Sequence, residues 1–171
     1  MQRPGQIVEA PPPPGALLGR YGGGGGYADC FAVTVPGPVS QAAFVEAFYT
    51  TALFRLERLV LAVLAGRPST DRQARALAAG ESERFAAWTV EARADDQILL
   101  CDFLGSTRSW LMSAPGQEAA TTLWFGTAVV PRKAGGGLGP GFRAMLPFHR
   151  LYARALLRAA AGRVKRLNPL P

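Results

Sequence analysis

Between residues 85 and 130 the chain carries four short apolar runs separated by turns too tight for anything but antiparallel pairing. The first, "FAAWTVEAR" (85–93), alternates Trp88, Val90 and Ala92 against Thr89, Glu91 and Arg93, the period of a strand with one wet face. "ADDQ" turns it into "ILLCDF" (98–103), and "LGST" turns that into "RSWLMS" (108–113). After "APGQEA" comes "TTLWFGTAVV" (121–130). Parallel neighbours need crossovers of a dozen or more residues, so these connections specify a meander.

The segment before the meander begins with "YADCFAVTV" (27–35), a first strand closed by Pro36, Gly37 and Pro38. Ser40 then offers the N-cap of a helix with apolar residues at Phe44, Phe48, Leu56, Leu59, Val60 and Val63, ended by Gly66 and Pro68. Thr70 followed by Gln73 makes a capping box for a second, shorter helix up to about Gly80. Near the C-terminus, Pro147 is placed to open a long final helix, since proline is tolerated at a first helical position. The expected class is α+β: an antiparallel sheet of about five strands with a long C-terminal helix across one face. Residues 1–26, with Pro11 to Pro14 and Gly22 to Gly26, read as a flexible arm, and residues 27–167 as a single domain. "PRKAGGGLGPG" (131–141) reads as a plain link, lacking the GKS or GKT ending of a phosphate loop.

The later strands are apolar on both faces, with Leu123, Phe125 and Val129 on one side of the last run and Trp124, Ala128 and Val130 on the other. One helix layer covers one side only. The second face must meet the arm, the earlier helices or another subunit, and a homodimer through the sheet is the preferred expectation.

Charge divides the chain. Residues 1–118 hold ten Arg against twelve Asp or Glu, a net of −2, whereas residues 119–171 hold nine Arg or Lys and no acid, a net of +9. On the last helix Arg150, Arg154, Arg158 and Lys165 fall within an arc of about 80°, with Phe148, Tyr152, Ala155, Leu156 and Ala159 opposite. Such a stripe is first a solvated face; docking on nucleic acid or an anionic membrane is the alternative. The run from Leu59 to Ala65 falls short of the roughly 20 apolar residues of a membrane span. No apolar leader is visible in "MQRPGQIVEAPPPP". Cys30 and Cys101 lie in apolar runs and need no oxidising compartment, so a cytoplasmic location is expected.

His149 is the only histidine. It lies at the margin of the helix's apolar face, and as the third residue of a helix starting at Pro147 it would sit near the positive end of the helix dipole, where the neutral imidazole is favoured. One histidine and two distant cysteines do not make a zinc site, so neither metal nor cofactor is expected. Asp102 shares a face with Ile98 and Leu100, where an unpaired carboxylate costs several kcal/mol; Arg108, across the turn, is its expected partner. His149 with Asp102 or Glu91 forms the candidate acid/base pair. Trp88, Trp110 and Tyr152 supply candidate ligand-binding surface, with His149, Arg108 and Tyr49 to orient a guest.

The stretches "YADCFAV", "FVEAFYTT", "FRLERLVL" and "FRAMLPFHRLYARALLRAA" cover most of residues 27–160 and resemble a bacterial family of START-like (SRPBCC-type, helix-grip) domains, related to domains found as tails of short-chain-dehydrogenase-like proteins. None of the four is a catalytic signature. The resemblance implies a small apolar or amphipathic molecule held between the sheet's concave face and the last helix. Two other functions remain open: an enzyme using the same cavity, and an interaction module built on the basic helix.

Overall fold

A computed structural model of the chain describes residues 5–21, 23, 26–131 and 138–167. Among them seven strands form one antiparallel sheet: β1 (Val8–Glu9), β2 (Tyr27–Pro36), β3 (Arg84–Phe85), β4 (Trp88–Ala94), β5 (Gln97–Asp102), β6 (Thr107–Pro115) and β7 (Ala120–Val129), in the spatial order β1-β2-β7-β6-β5-β4-β3. The expected meander is β4 to β7. The count exceeds five because β1 and β3 have two residues each, too few to leave a period in the sequence.

Between β2 and β3 lie α1 (Gln41–Tyr49), α2 (Ala52–Ala65) and α3 (Asp71–Ala79). The first two were expected as one helix from Ser40 to Gly66. They separate at Thr50 and Thr51, whose hydroxyls compete with the helical ladder: Thr50 Oγ1 donates to the Glu46 carbonyl at 2.7 Å, and Thr51 Oγ1 caps α2 by accepting the Phe54 N–H at 3.1 Å. Ser40, Gly66 and the Thr70–Gln73 box cap as their chemistry predicts. Arg58 fastens α2 to α3; it is buried, and it donates to Ser69 and Asp71.

The last helix, α4, spans Pro140–Leu167 and enters seven residues before Pro147. Pro140 takes the first position instead. Phe142, one turn inside the start, packs its ring edge-on against Tyr27 at 5.4 Å and stabilises the extra turns against the hydrogen bond that Pro147 lacks. His149 is therefore the tenth residue of the helix, and the dipole argument for its charge state does not apply. Of the link expected at 131–141, residues 132–137 lie outside the described residues.

The inner face of the sheet packs against α1 and α4 through an aromatic cluster. Phe44, Phe48, Tyr49, Phe54, Phe85 and Phe125 touch ring to ring at 4.7–6.3 Å, with Leu156 and Leu157 of α4 in the same core. These rings fill much of the space beneath the helix layer, which the sequence left open for a guest.

The outer face is covered by the chain's own arm, which is docked over residues 5–21 instead of flexible. β1 pairs with β2, and a short 3-10 helix, Leu17–Tyr21, lies across the strands. Leu18 is fully buried against Trp110 and Cys30. Its socket is Gly126: a Cβ there would lie 2.3 Å from Leu18 Cδ2 and 2.8 Å from the Asp29 carbonyl. Gln97 adds a polar clamp, accepting from the Leu17 N–H at 2.8 Å and from Trp110 Nε1 at 2.9 Å while donating to the Gly15 carbonyl. With that face already occupied, the reason to expect a dimer through the sheet disappears.

Leu18→Ala is expected to lower stability by about 2–4 kcal/mol, as for a large core side chain truncated to alanine. A urea midpoint unchanged from wild type would mean that the arm does not dock.

Candidate functional site

Three successive rows of side chains cross the inner face, and their character changes along the strands. The row Phe31, Phe125, Leu111, Ile98 is apolar until Arg93 at its β4 end, which donates to the Leu77 carbonyl. One step along, the row Asp29, Thr127, Ser109, Leu100, Val90 has three polar members. The next holds Tyr27, Val129, Thr107, Asp102 and Trp88. Helix α4 brings His149 over the polar end, where its ring stands edge-on to Tyr27 at 6.0 Å.

Asp29 is the centre of this end. Its carboxylate is almost wholly buried and accepts four hydrogen bonds or close contacts: the Thr127 N–H at 3.1 Å, the Thr127 hydroxyl at 2.6 Å, the Tyr27 hydroxyl at 2.8 Å, and His149 Nε2 at 3.4 Å. Burial pushes the carboxyl up, but hydrogen bonding from His149, Thr127 and Tyr27 outweighs it and holds Asp29 below its ordinary value. The same burial and the neighbouring carboxylate raise the Tyr27 phenol. Because the single Thr127 hydroxyl proton is given to Asp29, the 2.8 Å contact between Thr127 Oγ1 and His149 Nε2 requires Nε2–H to donate. Nε2–H is then the donor whichever state Nδ1 is in.

Two further polar pairs stand beside this network. The Tyr49 hydroxyl, deep in the core, meets Ser109 Oγ at 3.3 Å. The Tyr152 hydroxyl of α4 donates to Glu57 of α2, and burial raises the Glu57 carboxyl although that hydrogen bond opposes the rise. Trp88 packs against the core on the same face with its Nε1–H buried and without an acceptor.

The sequence-derived candidates divide between the two faces of the sheet. Trp88, Tyr49, Tyr152 and His149 lie on the helix side. Trp110 and Arg108 lie on the arm side, where Trp110 donates to Gln97 and Arg108 sits over the Tyr21 ring at 4.8 Å and pairs with Glu91 at 3.0 Å. Asp102 is not paired with Arg108. It closes the β5–β6 turn by accepting from the Ser106 and Thr107 N–H groups at 2.8 and 3.0 Å. Neither Asp102 nor Glu91 is the partner of His149; Asp29 and Thr127 are. The sequence signal for Asp29 was an acid inside the apolar strand "YADCFAV", and Thr127 lies 98 residues away from it.

Other features of the chain fall outside this site. A hollow of about 600 Å³ lies under the arm, lined by Pro11 to Pro13, Tyr21 and Ala28 to Cys30. Burial pushes the Cys30 thiol up to about 12, the state of a structural rather than a nucleophilic cysteine. In the basic stripe, Arg150 pairs with Glu9 and Arg154 lies over the Phe31 ring at 5.3 Å, while Phe148 is exposed and not turned to the core. Among the described residues no three His, Cys, Asp or Glu side chains gather as metal ligands, and no helix is long and apolar enough to cross a membrane. Comparison with protein-family models, curated proteins and solved structures finds no match.

A carboxylate more acidic in the folded than in the unfolded chain stabilises the fold above its unfolded value of about 3.9. That contribution is lost as the pH falls through the lower folded value. Asp29→Asn is thus expected to flatten the acid limb of stability against pH, leaving the slope that belongs to Asp71, which Arg58 and Arg55 also hold low against burial. Urea midpoints from roughly pH 2 to 7 measure it; an acid limb identical to wild type would contradict the network.

Proposed function

We propose that the protein binds a small amphipathic molecule beneath the N-terminal half of α4, its apolar body against Trp88, Val90 and Tyr152 and an acceptor atom on the Trp88 indole. The observation that carries this is the buried Trp88 Nε1–H with no partner on the helix-facing side. An unsatisfied buried donor costs about 1–3 kcal/mol, and native proteins keep few of them. A guest with a carbonyl, carboxylate or ether oxygen removes the cost.

Two further observations support the reading. Polar rows stand at one end of the inner face and phenyl rings at the other, the lining an amphipathic guest requires. The order of elements, a sheet gripped by a long terminal helix, agrees with the START-like resemblance of residues 27–160, although likeness of fold does not by itself assign a function.

Acid/base chemistry at the same place is the second reading, favoured by the Asp29–Thr127–His149 chain. Asp29 and Thr127 fix the ring through Nε2 and would stabilise an imidazolium formed by proton uptake at Nδ1. The basic-stripe reading is weaker, because Arg150 and Arg154 already contact Glu9 and Phe31.

Native mass spectrometry of the purified chain is expected to record a retained small-molecule mass that organic solvent extracts. Trp88→Phe, which keeps the ring and removes the donor, is expected to lower its occupancy about tenfold with circular dichroism unchanged. A wild-type protein that flies only at its bare mass contradicts the proposal.

A further inference from the structure

Leu56, Leu59, Val60, Val63 and Leu64 form the solvent face of α2 and are 46–81% exposed. At 100° per residue they span an arc of about 140° that contains no charged residue. Amphipathic helices turn such a face toward the core, but the core side of α2 is held by Phe54 and by buried Arg58. A second exposed stripe, Met145, Phe148 and Leu151 of α4, stands beside it: Tyr152 of α4 reaches Glu57 of α2, and Phe148 stacks on Tyr152 at 6.3 Å.

We propose that this surface is the interface of a homodimer, with α2 packed against α2 of a second copy about a two-fold axis. The area fits. At roughly 150–200 Å² for a fully exposed large apolar side chain, eight residues about three-fifths exposed present on the order of 800 Å², the share each partner gives to a standard interface. The spacing fits as well, since 56, 59, 60 and 63 follow the i, i+3, i+4, i+7 ridge by which helices pack on helices. An isologous contact places like on like, and a charge-free patch is what a chain of net charge +7 can set against itself without repulsion.

An anionic membrane suits the surface less well. Membrane-surface helices carry a polar face rich in Lys and Arg, whereas the two cations of α2, Arg55 and Arg58, are both paired with Asp71, and Glu57 stands at the other edge of the apolar arc. On α4, Arg150 and Arg154 are already engaged, Arg150 with Glu9 and Arg154 with the Phe31 ring.

Sedimentation equilibrium of the full chain over roughly 1–100 µM is expected to show a monomer–dimer equilibrium. Leu59→Asp combined with Val63→Asp should raise its dissociation constant at least about 30-fold with the far-ultraviolet spectrum retained. Gln117→Glu, exposed in the turn between β6 and β7, should leave it unchanged. If the double variant does not fold, Leu59→Gln serves in its place. A wild-type chain that stays monomeric throughout, whether or not it binds phosphatidylserine vesicles, overturns the proposal, as does a dimer whose dissociation constant the α2 substitutions do not move.

Discussion

A carboxylate buried among sheet strands must be paired, and Asp29 is paired from three elements at once: Tyr27 of its own strand β2, Thr127 of β7 and His149 of α4. Apolar contacts between a helix and a sheet are non-directional and tolerate sliding. A hydrogen-bonded ring in a buried corner does not. The Asp29 network therefore fixes where along the sheet α4 crosses, and with it the position of Tyr152 over Glu57 and of Phe142 over Tyr27. Removing one member leaves its neighbours short of a hydrogen bond in a buried corner, so the cluster is coupled.

The division of the inner face follows from this crossing. Toward the C-terminal half of α4, Leu156, Leu157, Ala160 and Val164 join the core beneath α1, where Phe44 and Phe48 close the space. Toward its N-terminal half the strands present Thr127, Ser109 and Thr107, and the helix presents a histidine. The opposite face needs no second molecule, because Leu18 enters the space that Gly126 leaves and Gln97 ties the arm backbone down. Apolar surface left without cover is concentrated on α2 and the adjoining side of α4.

What could be read from the sequence was what is local. The meander declared itself because a period of two and turns of a few residues leave one solution, and the caps at Ser40, Gly66 and Thr70 because each is satisfied within one helical turn. The break at Thr50 and Thr51 was hidden, since both residues are tolerated in a helix and only the structure reveals which backbone groups their hydroxyls take. Pro147 misled because a proline permitted at a helix start can also sit inside a helix when flanking contacts such as Phe142 against Tyr27 compensate. The apolar period of α2 was legible, but not that the face would point outward. The site was half legible for a related reason. Alternation tells which residues of one strand share a face, but not which strands are aligned. So Trp88 and Trp110 were grouped although they lie on opposite sides, and Asp29, far away in sequence, was not linked to His149.

With one histidine in the chain, a nitrogen-15 NMR correlation spectrum of its imidazole at neutral pH tests the central interaction without ambiguity of assignment. If His149 is held by Thr127 and Asp29, the ring carries a proton on Nε2, and that proton is slow to exchange with water. A ring that carries its only proton on Nδ1, or one averaging between tautomers as free imidazole does, would contradict the account and release α4 from the corner that positions everything around it.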